Sequence, residues 1–189
     1  MKTHIIKVFI ALLLPSVLLS QNTAENNIKV FLLAGQSNMD GYGYTKDLPD
    51  SLDIEFRNVF IYHGNSAPDE GENGGLGNWE TLKPGHGVNF SSTSNKNNLS
   101  DRFGIELSFA KKLQLYYPNQ KIAFIKYSRG GTSIDSLAAG QFGSWEADYT
   151  GTNGINQYDH ALNTIKLALN TKDIDSDGKE DNLIPAGII

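Results

Sequence analysis

A serine two residues beyond a strand-ending glycine is the strongest chemical signal in this chain. Residues 30–43 read Val-Phe-Leu-Leu-Ala-Gly-Gln-Ser-Asn-Met-Asp-Gly-Tyr-Gly. The apolar run from Ile28 to Ala34 predicts a buried strand, and Gly35 lets the backbone turn sharply and lift the Ser37 hydroxyl into the open. Open α/β sheets place their ligands at that carboxyl edge. A hydroxyl there becomes a nucleophile once a base removes its proton, and the tetrahedral adduct then needs N–H donors aimed at its oxyanion. Met39 stands where the common Gly-x-Ser-x-Gly elbow has its second glycine, so the serine motif is a different one. A second strand-turn, Tyr127-Ser128-Arg129-Gly130-Gly131-Thr132, offers Gly130 or Gly131 N–H as a partner to Ser37 N–H in an oxyanion hole. The competing reading is that Gly35 and Gly130-Gly131 make tight turns beside a buried serine.

The elements that must position these groups alternate along the chain. Strands are predicted at Ile28–Ala34, Asn58–Tyr62, Lys121–Tyr127 and from Leu183 to Ile189. Apolar residues at 103, 107, 110 and 113 predict a helix over Phe103–Tyr116, with Ser100 or Asp101 as N-cap and Pro118 beyond its end. A second helix is predicted over Tyr158–Asn170, with Ala161, Leu162, Ile165 and Leu169 facing inward. Strands separated by helices indicate an α/β chain with a mainly parallel sheet in a three-layer sandwich. Residues 65–98, rich in Gly, Asn and Ser, read as a long functional surface loop.

Other residues could carry chemistry. Asp173, Asp175, Asp177 and Asp181 surround Gly178 with the spacing that opens an EF-hand-like loop, although Ile184 stands where its bidentate acid should be. Calcium as a structural clip and a plain acidic turn are both compatible with that pattern. Tyr42, Tyr44, Trp79, Phe90, Phe142, Trp145 and Tyr149 are consistent with sugar-stacking faces or with loop packing. Gly41-Tyr42-Gly43 follows a strand but lacks the third glycine of a dinucleotide loop. His160 reads as a surface helix residue, adjacent to Asp159 yet diverging from it. His63, at a strand end, and His86, in the long loop, match no motif for a base.

The bulk properties narrow the classes. Residues 1–20 carry Lys2 and Lys7, an apolar stretch Val8–Leu19, and small Ser20, the pattern of a secretory signal peptide. The stretch is too short to span a bilayer, so no membrane anchor is expected after cleavage. A polar leader, 21–27, and a domain over 28–189 follow. The expected location is secreted or periplasmic. A net charge of −5 argues against nucleic acid as a partner. The absence of cysteine excludes thiol nucleophiles, thiolate metal sites and disulfides.

Gly35-Gln36-Ser37-Asn38-Met39 resembles the first block of the sialate O-acetylesterase and acetylxylan esterase branch of the SGNH (GDSL-like) hydrolases. Lys126 to Ile134 is similar to the second block, whose glycine N–H joins the oxyanion hole. Phe103 to Ala110 resembles the family's Gly-Pro-Glu helix start, with Ile105 in place of proline. The resemblance implies a flavodoxin-like α/β/α fold, incomplete at the C-terminus, and an exported esterase acting on acetylated carbohydrate with no catalytic cofactor. It implies Ser37 as nucleophile, Gly130 and Gly131 in the oxyanion hole, and Gly35, Gln36, Asn38 and Glu106 in support. The family's Trp-x-Gln-Gly-Glu and Asp-x-x-His blocks would follow a strand resembling residues 185–189, and neither occurs here. The catalytic His and Asp are therefore not found, and the chain reads as a truncated esterase of poor solubility. The alternative is a catalytically inactive carbohydrate-binding or scaffolding domain of the same fold.

Overall fold

Near-continuous apolar runs in three strands, buried on both faces, decide the architecture. In the computed structural model, which describes residues 26–150 and 154–189, five strands form one sheet. They are β1 (Asn27–Gly35), β3 (Val59–His63), β4 (Trp79–Thr81), β8 (Lys121–Ser128) and β9 (Asn182–Ile188), in the order β4-β3-β8-β1-β9. Every pairing in it is parallel except β3 with β4. Small two-stranded ribbons pair β2 (Gly43–Tyr44) with β7 (Arg102–Phe103), and β5 (Ser91–Ser92) with β6 (Asn97–Asn98). Residues 1–20, read as a signal peptide, and most of the polar leader lie outside the described residues.

Successive side chains of a strand point to opposite faces, and both faces are covered. Phe31, Leu33, Ile61, Ile122 and Phe124 pack against Leu107, Ala110 and Leu113 of α2 (Glu106–Tyr116). Val30, Phe60, Ala123 and Ile125 pack on the other face against Ile165 and Ala168 of α3 (Gln157–Asn170). The expected three-layer α/β arrangement with a mainly parallel sheet is the observed one. A single helical turn, α1 (Ser37–Asp40), follows β1 on the α2 side, where Met39 joins that core.

The differences from expectation are local. α2 begins at Glu106, because Arg102 and Phe103 are held in strand pairing with β2, and neither Ser100 nor Asp101 caps it. Glu106 Oε1 instead accepts Gly104 N–H at 2.8 Å, satisfying a donor just ahead of the helix. β3 starts one residue late because Asn58 is left-handed, φ 62°. Leu169 faces outward, and the inner stripe of α3 runs through Ala161, Thr164 and Ala168. Residues 65–98 are an ordered excursion carrying three strands, pinned where Asn65 Nδ2 donates to Ser92 O at 2.8 Å and Ser92 N–H returns to Asn65 Oδ1 at 2.6 Å. Among the described residues no helix is long and apolar enough to cross a membrane.

Candidate active site

The parallel register brings the two candidate turns together. Gly35, at the end of β1, lies opposite Ser128, at the end of β8. Arg129 N–H then donates to Gly35 O at 3.1 Å, tying the second turn to the first. Gly35 has φ 156°, a conformation that L side chains rarely adopt, and a Cβ on it would sit 3.2 Å from Met39 Cβ. Ser37 opens α1 half-buried, with Asn38 exposed beside it. Ser37 Oγ donates to Gln36 Oε1 at 2.8 Å, and Ser37 N–H donates to the same oxygen at 3.1 Å. The Gln36 amide oxygen thus takes both donors that an ester would meet at this serine.

Gly130 and Gly131 differ sharply. Gly130 N–H is committed to Asp40 Oδ2 at 2.9 Å. Gly131 N–H has no acceptor among the described residues, and its φ of 79° and the Phe142 ring 2.7 Å from where a Cβ would be both demand glycine. Asp40 itself is buried at the end of α1. Burial pushes its carboxyl above the usual range, opposed by the Gly130 hydrogen bond and the nearby charges of Lys126 and Arg129.

Glu106 belongs to a charged cluster beneath this turn. Its Oε2 meets Lys126 Nζ at 2.8 Å, with both side chains fully buried. Lys126 also donates to His86 O at 2.6 Å and to Asp40 O at 3.4 Å. Glu106 is thus linked to the Ser37 turn through Lys126 and the Asp40 carbonyl. Lys126 and Asp40 match no sequence motif for this role. An intrastrand lysine at an inward position of β8 was the available clue.

Open clefts flank the Gly130-Gly131 loop. One, of about 580 Å³, is walled by Ser66, Pro68, Asp69, Arg129 and Phe142. Arg129 lies over the Phe142 ring at 4.6 Å and donates to Ser66 Oγ at 3.2 Å, while its buried Nε has no partner. The other, of about 620 Å³, is walled by Gly35, Gln36, Thr132, Ile134 and Trp145. A polar cavity of about 60 Å³ lies between Asp40, His63, Ser66, Ser128 and Arg129.

None of the described histidines is placed as a base by its contacts. His63 and His86 are buried with Phe90 in an aromatic stack, their rings 4.0 and 5.1 Å from the phenyl. Burial first, then the Lys126 charge, holds both well below the usual histidine range. His160, expected at the surface, is buried on the opposite face of the sheet, 6.2 Å from the Tyr127 ring, with Nε2 3.2 Å from Pro68 O. It is inward because α3 turns residues 157, 160, 161, 164 and 168 toward β8.

The aromatic set divides. Tyr42 and Tyr44 are exposed, Tyr44 stacked under the Arg102 guanidinium at 3.4 Å. Trp79 donates to Ala168 O and packs on Tyr62, Phe90 lies in the histidine stack, and Trp145 donates to Thr132 Oγ1 while walling the cleft beside Gln36. Gly41 and Gly43 lie against Gly104 and the Phe103 ring.

In the acidic loop, oxygens of Asp173, Asp175 and Asp177 lie within 4.8 Å of one another. Three such carboxylates suit a hard cation. Lys121 Nζ meets Asp175 and stands 3.6 Å from Asp177. Asp181 departs from the expected set: its Oδ2 accepts Ile174 N–H at 2.7 Å and clips the base of the loop.

Two solved structures resemble the chain. A protein from Arabidopsis thaliana aligns with a TM-score of 0.46 and 16% identity, over 84% of this chain and 57% of that one. NanS aligns with a TM-score of 0.43 and 21% identity, over 76% of this chain and 49% of that one. The chain thus spans about half the length of these structures. Comparison with curated proteins finds no match. The sequence profile of the carbohydrate esterases described as sialic acid-specific acetylesterases matches residues 27–176, which include the Ser37 turn, the Gly130-Gly131 loop and the Glu106 helix. The chain belongs to this carbohydrate esterase family.

Proposed function

We propose that the chain is an exported carbohydrate O-acetylesterase in which Ser37 attacks the acetyl carbonyl. The observation that carries this reading is the junction of the Ser37 turn with the 129–131 loop through Arg129 N–H and Gly35 O. The adduct oxygen would be held by Ser37 N–H, once Gln36 swings aside, and by Gly131 N–H. Collapse of the adduct expels the sugar hydroxyl and leaves an acetyl-Ser37 ester, which water hydrolyses to acetate. Each such donor is worth about 10²–10³ in rate. The proton of Ser37 needs a base, and no described histidine side chain hydrogen-bonds to Ser37, so for an activated ester water takes that part. His63 and His86 are stacked with Phe90, and His160 packs beside Tyr127 on the other face of the sheet. Family membership supports an acetylated carbohydrate as substrate, and the Arg129 guanidinium in the neighbouring cleft favours one bearing a carboxylate.

Acetate release from an O-acetylated sialic acid, measured for wild type and Ser37→Ala, tests the proposal. The expected result is Ser37-dependent turnover. A second reading, a carbohydrate-binding domain without turnover, is favoured by the Gln36 oxygen occupying both Ser37 donors. Sugar binding equal in wild type and Ser37→Ala, with no acetate released by either, would decide for it.

A further inference from the structure

We propose that Asp40 is a positioning residue that fixes the oxyanion loop against the nucleophile turn, an inference that rests on the assignment of Ser37 above. Asp40 is the last residue of α1, and that turn is closed by Asp40 N–H to Gln36 O at 2.8 Å and Gly41 N–H to Ser37 O at 3.0 Å. Its backbone is therefore rigidly related to Ser37. Its side chain reaches the other strand end: Oδ2 accepts Gly130 N–H at 2.9 Å and Oδ1 lies 3.4 Å from Ser128 Oγ. From below, Lys126 Nζ holds its carbonyl at 3.4 Å. One carboxylate thus spans the gap between the end of β1 and the end of β8.

The arrangement has a consequence for catalysis. By consuming Gly130 N–H, Asp40 fixes the Arg129–Gly130 peptide, one residue before Gly131, whose N–H has no acceptor among the described residues. Oxyanion donors act only when held close to their productive position, and a misplacement of about 1 Å can cost about 10²-fold in rate. A buried carboxylate is also a costly way to fill space. A residue serving only to pack α1 against β8 would be apolar, like its neighbour Met39. The carboxylate is explained by the amide it must capture.

The test uses 4-nitrophenyl acetate, an activated ester that a serine can attack with water as base, as probe, and amide hydrogen exchange at Gly130 followed by NMR. Asp40→Ala is expected to lower Ser37-dependent kcat about 10²-fold with KM moved less than about twofold. It should also accelerate Gly130 exchange at least about tenfold. Asp40→Asn keeps an amide oxygen for Gly130 N–H and should restore both readouts to within about tenfold of wild type. The proposal is overturned if Gly130 stays protected in Asp40→Ala. It is also overturned if Asp40→Asn is as impaired as Asp40→Ala, or if kcat is unchanged when Gly130 is released. Equal hydrolysis by wild type and Ser37→Ala would instead remove the esterase reading. The Gly130 exchange rates of the two Asp40 variants would then still decide whether Asp40 holds the loop.

Discussion

Lys126 and Glu106 form an ion pair with no solvent exposure on either side chain, Nζ to Oε2 2.8 Å, directly beneath the turn that carries Ser37. The pair is held by more than its own attraction, since Lys126 also donates to the carbonyls of His86 and Asp40 and Glu106 accepts Gly104 N–H. Such full satisfaction is what allows two charges to stay buried. It joins the start of α2, the middle of the sheet and the serine turn into one unit.

Breaking that pair from one side should be severe. Glu106→Ala leaves the Lys126 charge uncompensated in the core and is expected to cost about 3–5 kcal/mol of stability. Lys126→Met combined with Glu106→Ala should cost less than the sum of the two single changes, because neither charge is then stranded. Urea denaturation of the three variants measures this, and strict additivity would show that the two groups do not act as a pair.

The His63–His86–Phe90 stack makes stability depend on pH in a definite direction. Both imidazoles are held below 6.5 in the folded protein, by burial first and Lys126 second. Glu80 Oε1, 3.6 Å from His86 Nε2, does not reverse this for His86. Below about pH 6.5 the unfolded chain therefore binds more protons than the folded one, and stability falls with acidification. Each buried histidine contributes a slope of about 1.4 kcal/mol per pH unit in that window. Denaturation midpoints from pH 8 to 5 should show the fall, and His86→Gln should make it shallower. A flat profile for wild type across that range would refute the buried neutral assignment.

Arg129 is expected to select for charge. Its guanidinium stacks on Phe142, has an unpartnered Nε, and lines the cleft beside the Gly130-Gly131 loop. Arg129→Met should raise KM for an O-acetylated acidic sugar by about 10- to 100-fold, the worth of one charged hydrogen bond. The effect on a neutral acetylated xyloside should be much smaller. Equal effects on both substrates would mean that Arg129 supports the loop rather than the substrate's charge. Asp69, in the same cleft, accepts Asn156 N–H at 2.9 Å and is the nearer test of any opposing charge.

For the acidic loop the expected outcome is weak calcium binding. Asp173, Asp175 and Asp177 converge, and calcium would displace Lys121 from them. Burial alone would raise the Asp175 carboxyl, but Lys121 overrides it and holds the group below its ordinary value. Calcium at about 10 mM should raise Tm, and Asp173→Asn should abolish the rise. An unchanged Tm in wild type would mean that Lys121 alone closes the loop.

Much of the fold was legible because its strands are short apolar runs and its helices carry one apolar stripe. Ile28–Ala34 and Lys121–Tyr127 needed no tertiary information to be read as buried strands. The errors fell where tertiary contacts outvote local pattern. Phe103 continues the helical period of 107, 110 and 113, yet it pairs with Gly43 as strand. Leu169 looks inward by composition, but packing rotates α3 so that Ala168 and His160 face the sheet.

The sequence by itself determined the four parallel strands, the two main helices and the family, because apolar runs, a serine behind a strand-ending glycine and a Gly-Gly-Thr loop after another strand are local patterns. Only the tertiary structure decided that Gly130 N–H is spent on Asp40 and that Gly131 N–H is not. It likewise decided that Lys126 reaches Glu106, and that the side chains of the three described histidines are buried without a hydrogen bond to Ser37. The physical reason is common to these cases. A donor's partner is set by which residues the parallel register brings opposite one another, as Gly35 meets Ser128 across 93 positions of sequence. No spacing within one segment encodes that meeting.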